Sequence, residues 1–186
     1  MKELFSAFGS EVFRPLVTLV VPGSIAVSTF FIGLLQQFHE FNDLVSKNHA
    51  ESAFVLLLVV LVAGLIIEDI GARLETFLDW IANWRTKGSH NDEWNAYLRL
   101  AFKTEPGGRR YLRTLVVRLK FELGTAIGLV FALVGYHNLI APAPWHRTAH
   151  VLCYVLTVYL LIEARATHAA LARLRRELLK KILVVG

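Results

Sequence analysis

The chain has a single cysteine, Cys153. An internal disulfide is therefore excluded, and the redox compartment is not readable from cysteine usage. Cys153 falls inside an apolar run and reads as a small buried hydrophobe. Several signatures are absent as well. There is no Walker loop, no Gly-x-Gly-x-x-Gly, no Gly-x-Ser-x-Gly elbow and no cysteine-based metal site. The marked classes of nucleotide-binding, hydrolytic and zinc proteins are disfavoured accordingly, and the expectation is no enzyme and no cofactor. The basic segments lack the interleaved aromatics on which single-stranded nucleic acid stacks, so nucleic acid is not an expected partner.

Charge is missing from four stretches: Pro15–His39, Ser52–Ile67, Leu123–Trp145 and Thr148–Ile162. A hydrocarbon core of roughly 30 Å takes about 20 apolar residues as helix. The first and third runs meet that unaided, and the other two gain length from neutral or snorkelling neighbours. Sorting the 20 Lys and Arg by the gaps between runs leaves 18 in alternate gaps and only Lys47 and Arg147 in the other two. Cytoplasmic loops retain Lys and Arg. The expectation is an all-α, four-span protein of the bacterial inner membrane with both termini cytoplasmic. The spans fall at about 15–38, 52–70, 122–141 and 147–165, with a cytoplasmic helical hairpin at about 71–121 and a basic helical tail at about 166–186. A cleaved signal peptide is not expected, because the first run begins late and lacks a small-x-small site. The net charge of +5 suits anionic headgroups at the cytoplasmic face.

Punctuation along the chain adds detail. Pro15 should separate a short amphipathic leading helix from the first span, and Pro22-Gly23 should kink or unwind that span. Ser24, Ser28 and Gln36 share one face and should mediate helix packing through interhelical hydrogen bonds rather than line a pore. Phe41–Glu51 reads as a short polar outer loop. Past Glu68-Asp69, the residues Ile70, Leu74, Phe77, Leu78, Ile81 and Trp84 recur at helical spacing, so the second span should continue beyond the membrane. Thr86–Asn91 and Pro106-Gly107-Gly108 read as turns. From Arg109 a further helix carries Leu112, Leu115, Val116, Leu119 and Leu123 on one face. It should run into the third span, where Gly124, Gly128 and Gly135 permit close helix packing. The segment from His137 to His150, with Pro142, Pro144 and Trp145, should be a tight outer turn with an interfacial anchor. Leu171, Leu174 and Leu178 continue the stripe of the last helix.

Four acids stand at the inner boundary: Glu68, Asp69, Glu122 and Glu163. Intramembrane carboxylates mark ion paths or relays. With Arg73, Arg118 and Arg165 near in sequence, a charge-paired structural belt is the favoured reading, and a ring around a cation route in an oligomer is the alternative. Arg109, Arg110, Arg113, Arg173, Arg175 and Arg176 form a candidate basic face for lipid or a partner. Five of the seven histidines fall outside; His146 and His150 have an i, i+4 spacing that can share a metal, but no third ligand is set beside them, so no metal is expected. Arg85–His90 matches in spacing the Arg-x4-His of HEPN ribonucleases. It sits in a predicted loop, whereas that motif belongs to a helical context, so no catalytic residue is assigned.

Val21-Pro22-Gly23 in the first span, the Gly64-Leu-Ile-Ile-Glu68-Asp-Ile-Gly71-x3-Glu75 exit from the second, the charged hairpin and the basic tail together resemble small multi-span membrane proteins of bacterial anti-phage loci. These include accessory proteins of type VI CRISPR and RADAR systems. The resemblance implies a homo-oligomeric inner-membrane effector or accessory that perturbs the membrane after infection, and the leading expectation is a non-enzymatic assembly of that kind that forms a pore or depolarises the membrane. Two further expectations stand beside it: a membrane anchor for a cytoplasmic protein partner, and a small transporter or membrane enzyme using the inner carboxylates.

Overall fold

The computed structural model of the protein describes residues 2–85, 92–93, 95–96, 107–139 and 146–185, with side chains for 17–85, 92–93, 95–96, 111–139 and 147–180. Five helices dominate: α1 (Lys2–Gln37), α2 (His39–Lys47), α3 (His49–Arg85), α4 (Gly107–Leu139) and α5 (His146–Val185). Residues 92–93 and 95–96 are also helical, and no strand occurs among the described residues. The expected loop at 86–91, which holds His90 of the Arg-x4-His pattern, and the prolines of the turn at 140–145 lie outside the described residues.

Three helices are long and apolar enough to cross a membrane by length and composition: α1 over Val17–Gln37, α3, and α5 over Arg147–Lys180. Valine, leucine and isoleucine dominate the middle of α3, and most of them face outward; Val55, Val62, Leu65 and Ile66 are all more than half exposed. Such a surface is unfavourable in water and suited to lipid. α4 differs. Its apolar half is covered by protein, with Leu123, Ala126, Ile127, Leu129 and Ala132 buried. It is the hub, touching α1, α3 and α5, while α1 also packs on α3.

Directions follow from the contacts. Gly128 of α4 lies against Pro22 of α1, and Gly135 lies against Thr29, so these two helices run the same way. α5 runs opposite to α4, with Arg118 against Glu163 and Tyr136 against His150. α3 runs opposite to α1, with Gly64 against Leu19 and Val60 against Gly23. The ends of α1 and α4 are tied where the Gln37 amide donates to the Leu139 carbonyl at 3.2 Å. α2 and the start of α3 therefore lie at the same end of the bundle as the end of α4 and the start of α5.

The α4–α5 contact is a long seam. Leu112, Leu115, Leu119, Glu122, Ala126 and Leu129 are buried on α4 at alternating steps of three and four. On α5, Thr157, Ala164, Leu171 and Leu178 are buried at steps of seven. That is the spacing of two helices packed side by side with knobs in holes. A helix rises about 1.5 Å per residue, so α3 and α5 reach roughly 55–60 Å, about twice the hydrocarbon thickness. Their far halves, with the start of α4, extend beyond any bilayer that holds their apolar halves. There a second core forms from Leu112 and Leu178, with Val116, Leu174 and Leu179 around it.

Two local expectations are corrected. α1 is one helix through both Pro15 and Pro22, so it neither breaks at Pro15 nor unwinds at Pro22-Gly23. Proline removes one helical hydrogen bond, but in a membrane helix neighbouring groups compensate for it, and Pro22 is among the most completely buried side chains. The expected polar loop at Phe41–Glu51 is largely the helix α2. Phe41, Leu44 and Val45 recur at helical spacing there, and Phe41 meets Phe31 of α1 edge-on at 5.9 Å. Packing of that face outweighs the polarity of the intervening residues.

Candidate functional site

The most distinctive site is a belt of charge where the apolar halves of α3, α4 and α5 end. Arg118 of α4 is its centre. Its Nε donates to Glu122 Oε1 at 2.6 Å and a terminal nitrogen donates to Glu163 Oε2 of α5 at 2.7 Å. One guanidinium thus clamps two carboxylates on two helices, a use for which its planar fork is suited. Glu122 occupies a seam position otherwise filled by leucine and alanine and is only 5% exposed. Its second oxygen, Oε2, makes no hydrogen bond among the described residues. A charged group at such a position costs stability and sets helix register, because sliding the seam would leave it unmatched.

The other half of the belt joins α4 to α3. Lys120 Nζ donates to Glu68 Oε1 at 2.9 Å. Asp69 turns away and pairs within its own helix, accepting from Arg73 at 3.1 Å. Adjacent helical residues differ by about 100° in direction, and here one acid faces α4 while the other stays on the surface. The four acids singled out in the sequence therefore share one level, each with a cationic partner. Glu68, Glu122 and Glu163 are tied into interhelical links; Asp69 is not.

Beyond the belt, a second polar group ties α3 to α5. His168 lies 2.8 Å from Asp79. One turn before Asp79, loss of water and then the Asp79 charge raise the Glu75 carboxyl above its ordinary value, while Lys120 and His168 oppose the shift. Farther on, Arg175 is 3% exposed. It faces Glu93 at 4.0 Å, while Arg176 reaches the same carboxylate at 3.2 Å. Burial lowers the Arg175 guanidinium, with Glu93 and Asp79 opposing. Among the arginines of the basic face, Arg175 points inward, while Arg113, Arg173 and Arg176 are exposed. The side chains of Arg109 and Arg110 lie outside the described residues.

The glycines make a separate site. A Cβ on Gly128 would stand 2.7 Å from the Pro22 carbonyl oxygen, and one on Gly124 would stand 3.2 Å from the Pro22 ring. One on Gly135 would meet Thr29 Oγ1 at 2.5 Å. Sequence reasoning missed the closest approach. A Cβ on Gly23 would collide with the Val60 carbonyl oxygen, and one on Gly64 with that of Leu19. Pro22-Gly23 is thus where three helices cross: Pro22 fits the glycines of α4 and Gly23 fits Gly64 of α3. The pairing of Gly64 with Gly71, seven residues apart on an apolar helix, was the available signal. The serines behave differently from expectation, because Ser24 and Ser28 donate to carbonyls of their own helix, Val20 and Ile25. The interhelical amide is Gln37 rather than Gln36.

At the opposite end, His150 packs edge-on against Tyr136 and His137, at ring distances of 4.7 and 6.3 Å. No group of three His, Cys, Asp or Glu that could hold a metal occurs among the described residues. Comparisons with family models, with curated proteins and with solved structures find no match for this chain.

Proposed function

We propose that the chain is a four-span inner-membrane protein with both termini cytoplasmic, and that it anchors a helical interaction unit for a cytoplasmic protein partner. α1, α3, α4 and α5 are its spans. The single observation that carries this reading is the continuation of the α4–α5 seam past the charge belt. Spanning a bilayer requires none of it. Yet the projecting halves have their own leucine core and ion pairs from Asp79 to His168 and from Glu93 to Arg176. Each acid of the belt between them pairs with a cation of the same chain, which suits a rigid joint between anchor and projecting unit. Exposed Arg113 and Arg173 give that unit a basic face, which fits an acidic partner surface or anionic headgroups.

A second reading is a homo-oligomeric, pore-forming or depolarising effector, the activity implied by the resemblance to anti-phage membrane proteins. The surface pair Asp69–Arg73, with side chains 66% and 80% exposed, favours it. Of the belt's ion pairs, this one is the most exposed and so the best placed to meet a neighbouring copy around an axis. No enzymatic step is proposed.

One experiment separates the two. Purified protein in liposomes, with its oligomeric mass measured in parallel, should pass no ions under the anchor reading. Ion flux that changes cation preference on Asp69→Asn would replace it with the pore. Topology is checked independently by reporter fusions, expected cytoplasmic at Gly88 and Gly186 and outward at Asn48 and Pro144. A periplasmic signal at Gly88 would defeat both readings.

A further inference from the structure

α2 turns an expected loop into the third wall of a groove. Phe31 and Leu34 of α1, Phe41 and Leu44 of α2, and Val55 and Val59 of α3 line a space of about 460 Å³. That is a volume typical of ligand pockets, roughly 300–1,000 Å³. The lining is apolar along its length and polar at one end only, where Asn48, Glu51 and Ser52 complete it. From Asn48 to Val59 the groove follows α3 for about 16 Å at 1.5 Å per residue. This is half of the roughly 30 Å hydrocarbon core, the depth of one leaflet. The groove therefore runs from headgroup level to mid-membrane if α1 and α3 cross the bilayer. It requires only that they do, and not that the protein conducts ions or binds a partner.

The polar end has a sign. Residues 38–51 carry Glu40, Asp43 and Glu51 against one cation, Lys47. Among these, Glu51 lines the groove itself and is exposed. A carboxylate beside an amide and a hydroxyl is a set of acceptors for an ammonium group. It repels a headgroup that is only anionic. Lys47 and His49 adjoin Asn48 in sequence but do not line the groove.

We infer that this groove binds one acyl chain of a bilayer phospholipid whose headgroup carries a primary amine, with the ammonium held by Glu51 and Asn48. The lipid closes the gap between α1 and α3 that α2 fences on its third side. It differs from the surrounding bilayer in being retained one per protomer.

The test uses the full chain, purified from vesicles of equal phosphatidylethanolamine and phosphatidylglycerol, with bound lipid counted by native mass and identified after extraction. The wild type should retain about one phospholipid per protomer, with the amine headgroup preferred several-fold. Glu51→Gln, at an exposed position, should keep the lipid but lose the preference. Val55→Trp should fill the groove and lose the lipid while keeping helicity and thermal stability. If Val55→Trp does not fold, the headgroup preference of Glu51→Gln still decides. No retained lipid on the wild type, equal retention of both lipids, or an unchanged preference in Glu51→Gln overturns the proposal. So does a wild type without lipid whose oligomer dissociates in Val55→Trp, which would assign the groove to a second copy of the chain.

Discussion

α4 meets α1 through backbone and α5 through side chains. On the α1 side, glycines let Pro22 approach until a single added carbon would strike a carbonyl oxygen. On the α5 side, leucine, alanine and threonine interlock at seven-residue spacing, and an arginine clamps two acids across the helices. On the four-span reading proposed above, the difference follows from the solvent. Lipid tails are as apolar as leucine, so burial alone does little to join helices in the bilayer, and close backbone contact takes over. Where the helices leave the bilayer, water restores the hydrophobic effect and leucines again contribute. On the same four-span reading, the belt at Arg118 marks the change from one regime to the other.

Breaking the first seam should have the largest effect. Gly23→Leu and Gly128→Leu each place a side chain into backbone that has no flexible end to move aside. The cost should be at or beyond the upper end of the ~1–3 kcal/mol typical of overpacking. The measurement is thermal stability in detergent, alongside Gly71→Ala. A Cβ at Gly71 would meet Ile127 at an ordinary 3.9 Å. That variant should therefore be neutral or gain about 0.5 kcal/mol from the helix preference of alanine. Equal losses at Gly71 and Gly128 would show that the crossing is not set by backbone contact.

The second seam should break almost as severely at its most buried leucine. Leu119 is 1% exposed between Leu123 and Ala164, and Leu119→Ala should cost about 2–5 kcal/mol by cavity formation. Unfolding should start in the projecting half, read as faster amide exchange at 107–119 and 164–180 than in α1. Uniform exchange would argue that the two seams unfold as one.

A smaller effect separates the two kinds of ion pair. Arg118→Gln removes the hydrogen-bond partner of buried Glu122 and should lower the melting temperature clearly. Arg73→Gln releases an exposed pair and should leave it nearly unchanged. Similar shifts for both would remove the clamp from the account.

The smallest is a pH effect from Glu75, which lies past the apolar run of α3. Folding raises its carboxyl pKa, so the folded protein binds that proton more tightly than the unfolded chain. Its contribution is full below the ordinary value near 4.5 and is lost as pH climbs through the raised value. Glu75→Gln should flatten stability against pH over that window and be slightly more stable than wild type at neutral pH. A steeper profile in the variant would contradict the sign.

Much of the helical framework was legible in the residues. Hydropathy and charge are summed locally, so long apolar helices can be read without knowing their partners. The seam positions Leu112, Leu115, Leu119, Leu171 and Leu178 were legible for the same reason, because a helix shows its buried face as a period of three and four. Other features required the assembled bundle. Arg118 meets Glu163 across 45 residues and Lys120 meets Glu68 across 52, and several cations stood at comparable sequence positions. Gly23 gave almost no signal and Gly64 only its seven-residue spacing from Gly71, because glycine has no side chain with which to show a pattern; the approach of another backbone identifies the position. α2 looked like a loop because two acids and a lysine outweigh its few apolar residues in any local sum, until α1 offers Phe31 to pack against. Local chemistry determined which segments are helices and which of them avoid water. The tertiary structure decided which surfaces meet, because helix contact depends on the shape and charge that two distant segments present together.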